Sequence, residues 1–449
     1  MIKMYIAAAL LVAVVPAQAI TELSDTSKIH DIDEVVIVSQ PKEIYSLRRQ
    51  AVSSTALGGN ELSLLGVRDL REISSYVPSF VMPDYGSRYT SSIYIRGIGS
   101  RVNNPAVAIY SDGIPLMSKS AFNTHTYQLD RVDILRGPQG TLYGQNAEGG
   151  IIRLYSKNPM NYQGTDVKLS IGSHLWRNTE FATYKKFNNK FAMSLAGFYD
   201  GQNGFFRNVG TGERADKMNE AGGKLRFVYQ PTSRLSLNFI ADYQYVNQNG
   251  FPYGVLDKET GETASTNTTY QSKYRRNMFN AGFDLGFLGN YFDFHSVTSY
   301  QYLKDYMLMD QDYLPEDYMH LEQRQFQNAF TQDFSLKSIH PVGGFWHWTL
   351  GAFFSAQWLK TDGPVYFGDA MTSTIAKAMM TSPIITSCSV EMGAPGVYHT
   401  PQQNLAFYHE SNFDITPRLV ATLGLRFDYN HTKIEYLSSA YMRVMMTMN

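Results

Sequence analysis

Residues 130–150 read DRVDILRGPQGTLYGQNAEGG, and the glycines at 137, 140, 144, 149 and 150 are its densest feature. Glycine at that density serves tight turns and close approach of backbones in a small sheet. A phosphate cradle is the competing reading, but the chain holds no G-x-x-x-x-G-K-[ST] string to support it. Working outward, YIRGIG stands at 94–99, VAIYSDGIPL at 107–116, and the acidic-then-aliphatic run IDEVVIV at 32–38. The stretch VRDLREISSY at 67–76 predicts a helix with Leu70 and Ile73 on one face, ended by Pro78.

In this order and at these spacings, the three Gly-bearing segments resemble the plug domain of TonB-dependent outer-membrane receptors. IDEVVIV resembles the TonB box through which such receptors are energised. The resemblance implies that Asp33, Glu34, Val35, Val36, Ile37 and Val38 pair with a strand of TonB. Main-chain bonds would supply the strength of that contact, and the β-branched valines favour the extended state. It also implies that Arg96 and Arg136 face acidic groups of a barrel wall, where a bidentate Arg–carboxylate contact is directional yet breakable. The family's barrel has twenty-two strands closed around the plug, as the size rule for plugged transporters also gives.

The N-terminus fits export. Lys3, the apolar stretch from Tyr5 to Val15 and Ala17-Gln18-Ala19 read as a signal peptide over 1–19, too short to span a bilayer as a helix. A leader with the box follows over 20–50. The dozen residues before Ile32 cannot bury a core, which argues against an additional signalling domain ahead of the box. Thirty-one Tyr and 26 Phe suit an exported β protein. One cysteine, Cys388, cannot form an internal disulfide. The formal net charge of -1 gives no basis for a nucleic-acid partner, since counterion release needs a basic surface.

From about residue 163 the pattern becomes two-residue alternation. Trp346, Trp348, Leu350, Ala352, Phe354, Ala356 and Trp358 share one strand face; His347, Thr349, Gly351, Ser355 and Gln357 lie on the other. The same alternation recurs from Leu235 to Tyr245 and from Leu419 to Tyr429. Strands with one apolar and one polar face predict lipid outside and a hydrated lumen inside. On that reading Ala352 faces lipid, and Gly351, facing the lumen, should tolerate serine. Short turn signals alternate with long links, and about eleven strands are counted by Tyr429. The expected architecture is an all-β transmembrane β-barrel preceded by a small α+β plug, with the plug over 51–160 and barrel strands over 161–449. Eleven strands cannot close around a plug, so the sequence reads as the N-terminal portion of a receptor; a truncated, non-transporting product is the alternative.

Ligand contacts are expected at the plug apices 83–90 (PDYGSRYT) and 116–125 (LMSKSAFNTH), through Tyr85, Arg88, Tyr89 and Phe122. The segment 361–400 holds Met371, Met379, Met380, Met392 and Cys388, but no ligand spacing repeats, so no metal site is expected there. No H-E-x-x-H and no nucleophile elbow occurs, so neither an enzyme nor a cofactor is expected. The resemblance implies active uptake of a scarce bulky ligand, with a ferric siderophore first and cobalamin, haem or an oligosaccharide as other classes. TonB with its energising inner-membrane complex and outer-membrane lipid are the implied partners. A surface binding protein, docking a phage or bacteriocin, is the reading from a different class.

Overall fold

The computed structural model describes residues 42–45, 47, 50–88, 91–101 and 105–448. The signal-peptide stretch, the expected TonB box at 33–38 and Tyr89 lie outside the described residues.

The plug comprises β1 (Ser53–Gly58), α1 (Gly59–Leu64), α2 (Leu70–Ile73), β2 (Phe80–Val81), β3 (Tyr94–Ile95), β4 (Ile98–Gly99), β5 (Val107–Ser111), β6 (Ile114–Pro115), β7 (Leu129–Arg136), α3 (Gly140–Tyr143) and β8 (Gly150–Ser156). Five of its strands form a sheet ordered β1-β7-β8-β5-β6, with β5 parallel to β8. The central strands are apolar on one face, and on the other Leu135 and Ile151 alternate with Asp133 and Arg153. Val132, Ile134, Ile152 and Leu154 pack on α1 and α2 through Leu62, Leu70 and Ile73. Leu135 and Ile151 pack on the other side with Tyr143 and with Tyr408 from beyond the plug. At Gly150, φ is +151° and a Cβ would stand 2.2 Å from the Leu135 carbonyl oxygen, so the approach of β7 to β8 requires glycine there.

The predicted helix over 67–76 is real but shorter. Asp69 accepts a hydrogen bond from the Glu72 amide at 3.0 Å, which starts α2 at Leu70. After Ile73 the amides of Ser75 and Tyr76 bond three residues back, tightening the chain out of the α-helix.

The wall follows: β9 (Gly164–Gly172), β10 (Trp176–Asn188), β11 (Phe191–Gln202), β12 (Met218–Thr232), β13 (Leu235–Asn249), β14 (Lys273–Leu288), β15 (Phe292–Asp310), β16 (Met319–Ser338) and β17 (Trp346–Asp362). A long link then carries β18 (Val365–Phe367), α4 (Asp369–Met379) and β19 (Ile385–Ala394); β20 (Gly396–Thr416) and β21 (Leu419–Thr432) resume the wall, and β22 (Glu435–Ser438) and β23 (Tyr441–Met448) complete the described strands. From β9 to β17 and on through β20 and β21 the strands pair in chain order, all antiparallel, giving an eleven-stranded path as expected. Connections after β10, β12, β14 and β20 are two or three residues and that after β16 is seven, whereas at the other end those from β11 to β12, β13 to β14 and β17 to β20 are fifteen or more, that after β15 is eight and that after β9 is three. The sheet therefore has a short-turn end and a long-link end. No helix among the described residues is long and apolar enough to cross a membrane, which says nothing of a β-barrel.

Strand faces follow the alternation. In β17, Leu350 and Trp358 are about half exposed while Thr349 and Ser355 are buried against the plug side. Gly351 corrects one expectation. A Cβ there would stand 2.0 Å from the Tyr408 ring, so the site has no room for serine although it faces inward.

Candidate functional site

Three layers of charged and hydrogen-bonded side chains join plug to wall. Nearest the long-link end, Arg88 lies buried between plug and β12. It donates to Glu220 at 2.6 Å and to Asn123 Oδ1 at 2.9 Å, with Asp69 3.7 Å away. His125 of the plug stands 3.3 Å from Glu220 and 3.7 Å from Glu180 of β10, its ring stacked on Phe198 at 4.2 Å. Burial lowers the imidazole's proton affinity, but hydrogen bonding and charge from Glu180 and Glu220 outweigh it and push the pKa up to about 9. Arg88 is likewise penalised by burial, yet the Glu220 and Asp69 charges hold its pKa above the ordinary value.

Midway down, Asp112 accepts from the Ser156 amide and hydroxyl at 2.7 Å each, and Lys224 of β12 reaches it at 3.2 Å. Burial opposes ionisation of Asp112, but Lys224 and Arg226 overcome that and lower its pKa. Beside this layer Ile114 leans on the wall where only Gly282 leaves space, since a Cβ there would stand 2.1 Å from Ile114.

Nearest the short-turn end, the leader itself is stitched in. Lys42 pairs with Asp333 of β16 and donates to the Leu142 carbonyl at 3.0 Å, while Thr349 of β17 donates to the Lys42 carbonyl at 3.2 Å. Glu43 takes Arg153 at 2.6 Å and the Tyr143 hydroxyl at 2.8 Å; Arg153 also meets Asp133 at 3.2 Å. Tyr45 donates to Asp414 at 2.6 Å. Lys42 and Glu43 are both buried, four and five residues beyond the end of the expected box. Ties of this kind are directional and release without breaking covalent bonds.

The plug apex meets the long-link end. The Phe251 amide donates to Gly86 O at 2.8 Å, Tyr253 donates to the Tyr85 carbonyl, and Gln248 accepts from the Arg88 amide at 3.1 Å. Arg101 lies over the Tyr85 ring at 4.7 Å, and Tyr253 packs edge-on against Tyr313 at 5.1 Å. A cavity of about 230 Å³ opens alongside, lined by Arg68, Arg71, Asp84, Asp216, Phe205 and Phe206 among others.

Of the apex residues named from sequence, Tyr85 is half exposed among these aromatics. Arg88 is consumed by the plug–wall tie instead of facing outward, and Phe122, at 2% exposure, belongs to the plug core; neither presents a surface to a ligand in this conformation. Arg136 donates to the Pro78 and Ser54 carbonyls, both in the plug, and Arg96 is exposed at φ 52°. No wall carboxylate lies in ion-pair contact with either arginine among the described residues. The residues that do join plug to wall, Lys42, Tyr45, Arg88, Asp112 and His125, were not predicted for that role. Their signal was present in the wall: Glu220 and Lys224 sit four apart on the inward face of one strand, and Asp333 and Lys337 do so on another.

The TonB-dependent Receptor Plug Domain family matches residues 46–151, and the TonB dependent receptor-like, beta-barrel family matches residues 222–441. The chain belongs to the TonB-dependent receptors, a family of outer-membrane transport receptors. Among curated relatives, the pesticin receptor of Yersinia pestis is 35% identical over 131 residues, 29% of this chain and 19% of that protein. A vitamin B12 transporter of Vibrio vulnificus is 27% identical over 202 residues, 43% of this chain and 32% of that protein. Among solved structures, the ferric yersiniabactin uptake receptor FyuA from Yersinia pestis superposes with a TM-score of 0.74 at 19% identity, covering 90% of this chain and 62% of that one. The ferric-catecholate import receptor Fiu of Escherichia coli, open form, gives 0.64 at 15% identity, covering 91% and 68%. At these identities the structural likeness concerns the fold. The chain thus spans less than two thirds of the first of these solved receptors.

Proposed function

We propose that the receptor takes up a scarce, bulky ligand, a ferric siderophore, across the outer membrane under the pull of TonB. The observation that carries this is the leader: Lys42, Glu43 and Tyr45 tie it at once to the plug and to the wall, a few residues past the box at 33–38. A strand of TonB that pairs with the box is then in series with the contacts that hold the plug. In this reading the short-turn end is periplasmic and the long-link end external, so Tyr85, Arg101, Tyr253 and Tyr313 face the incoming ligand. The siderophore class is supported by similar solved receptors: a ferric yersiniabactin uptake receptor, a ferric-catecholate import receptor and a ferripyoverdine receptor bound to ferripyoverdine.

The test is a receptor carrying Val36→Pro, which removes a ladder donor from the box. Radiolabelled ferric-siderophore uptake should be lost while binding at the cell surface stays near wild type. Wild-type uptake would refute the coupling assignment; absence of binding for any ferric siderophore, with cobalamin or haem bound instead, would refute the ligand class. A second reading, surface docking of a bacteriocin, is favoured by relatives named pesticin receptor and by a solved receptor in complex with pyocin S2. Killing by a bacteriocin that persists without any ligand uptake would select it.

A further inference from the structure

The long link between β17 and β20 contains a small sulfur-bearing module. Strand β19 pairs antiparallel with β23, and the register sets Cys388 opposite Met446, Val390 opposite Val444 and Met392 opposite Met442. Directly paired residues share a face, and residues two apart return to it, so all six side chains lie on one side of the ribbon. Ser387, Ser389 and Glu391 lie on the other side with Thr447, Met445 and Arg443. Cross-strand Cβ atoms stand about 5 Å apart, within the reach at which two sulfur ligands share one ion.

Helix α4 packs against β19. Its covered face holds Ala376, which is buried, with Met371, Thr372, Ile375 and Met379 half-buried around it, while Ser373 and Thr374 are exposed on the outer side. On β19, Cys388, Val390 and Met392 are partly covered whereas Ser387, Ser389 and Glu391 are exposed, so the sulfur face is the one beneath the helix. A five-residue connection, 380–384, returns the chain from the helix to the strand, which brings Met379 toward the Cys388 end. Met371 lies eight residues back along the helix, about 12 Å. Met392 lies four residues on along the strand, about 13 Å. The spans match, which would set Met379 beside the Cys388–Met446 pair as one station and Met371 beside the Met392–Met442 pair as the other.

Methionine also serves as a flexible filler of cores. Among the described residues Met442 and Met446 are 50% and 40% exposed, open to a small ion from outside. Thiolate and thioether are soft ligands that select Cu(I) over the hard and borderline divalent ions. Histidine, cysteine and carboxylates form no metal-holding cluster among the described residues, so this chemistry is distinct from that of an ordinary Zn²⁺ or Ca²⁺ site.

We propose that this module binds Cu(I), with the Cys388–Met446 station the tighter because its thiol gives up a proton and binds as thiolate. The station with three thioethers is neutral and weaker. This assignment is independent of which ligand the receptor imports.

The test uses the full chain folded in detergent under anaerobic, reducing conditions, with Cu(I) supplied as its coloured bicinchoninate complex. Wild type should withdraw Cu(I) from the chelator. Cys388→Ser and Met446→Leu should each weaken the tighter site by about tenfold or more, with the loss growing as pH rises for Cys388→Ser and independent of pH for Met446→Leu, which keeps the thiol. Met392→Leu together with Met442→Leu should remove the weaker equivalent and leave the tighter one. Met445→Leu, on the opposite face of the same strand, should change neither. Failure of wild type to withdraw Cu(I), or a loss in Met445→Leu equal to that in Met446→Leu, would overturn the assignment. X-ray absorption at the copper edge of the wild-type complex provides a check that needs no variant: a sulfur-only shell supports the site, and a nitrogen or oxygen shell refutes it.

Discussion

Arg88 sits where plug apex, plug helix and wall strand meet, and its guanidinium is the shared counter-ion of Glu220 and Asp69. Replacing it by methionine keeps most of the stem volume but leaves buried Glu220 to His125 at 3.3 Å and buried Asp69 to Arg71 at 3.5 Å, each without its second cation. Removing one partner of a buried pair costs about 3–5 kcal/mol, and Arg88→Met should lower the denaturation free energy of the plug–wall unit by that order. Arg88→Lys should fall between, because it keeps the charge and loses the fork. His125 gives the same layer a pH dependence. Its folded pKa of about 9 stands above the ordinary 6.5, so its stabilisation is complete below pH 6.5 and is lost as pH rises through about 9. The groups facing it are Glu180 and Glu220, with Lys168 on Glu180 and Arg88 on Glu220. Denaturation midpoints of wild type should therefore decline between pH 6.5 and 9, and those of His125→Gln should decline less steeply across that window. A flat wild-type profile would mean the imidazole is neutral.

Strand β17 shows how far element-scale reading carries. Its two faces were legible because alternation is a local property of the chain, and the exposed Leu350 and Trp358 against the buried Thr349 and Ser355 follow it. What could not be read is which inward positions are filled from elsewhere. Tyr408 lies over Gly351 and donates to Asp333 at 3.0 Å, and only the register between β17 and β20 brings these together. The same limit explains Arg88 and Phe122: the apex was legible as a segment, but which of its side chains turn inward depends on Glu220 and on the plug core, both far along the chain. Two substitutions separate the face from the neighbour. Ala352→Arg, on the lipid side, should cost about 2–4 kcal/mol near the bilayer midplane. Gly351→Ser should cost about 1–3 kcal/mol by overpacking, and in a Tyr408→Leu background that cost should shrink. A folding titration in which Gly351→Ser matches wild type would contradict the close approach.

Over the whole molecule, plug and wall are joined chiefly by polar side chains, with apolar contact confined to patches such as Ile114 at Gly282 and Tyr408 against the plug. An interface of that composition holds a domain in place and still allows it to separate, since exposed polar groups regain water. The leader is its most concentrated part. Lys42→Met combined with Glu43→Gln should raise amide exchange at residues 42–45 and 47 by about tenfold or more, the scale of losing charged hydrogen bonds, while strands β14 and β15 keep wild-type protection. Equal protection in the variant would show that the leader is held by something other than Asp333 and Arg153.

The position of β1 at the rim of the plug sheet, with β7 as its single partner strand, fixes how the assembly yields to tension. A central strand would have to slide past two neighbours and break its ladder in one event. A rim strand drawn from its leading end peels like a seam, one rung after another from Ser53 opposite Arg136 to Gly58 opposite Arg131. The work is then spread over many small displacements, while β7, β8 and β5 keep their cores. Stretched from an N-terminal handle, the plug should lengthen first by about 6 nm, the contour of residues 42–58, at a load well below the one that ruptures the rest. A single high-force rupture with no such initial extension would show that the seam does not open first.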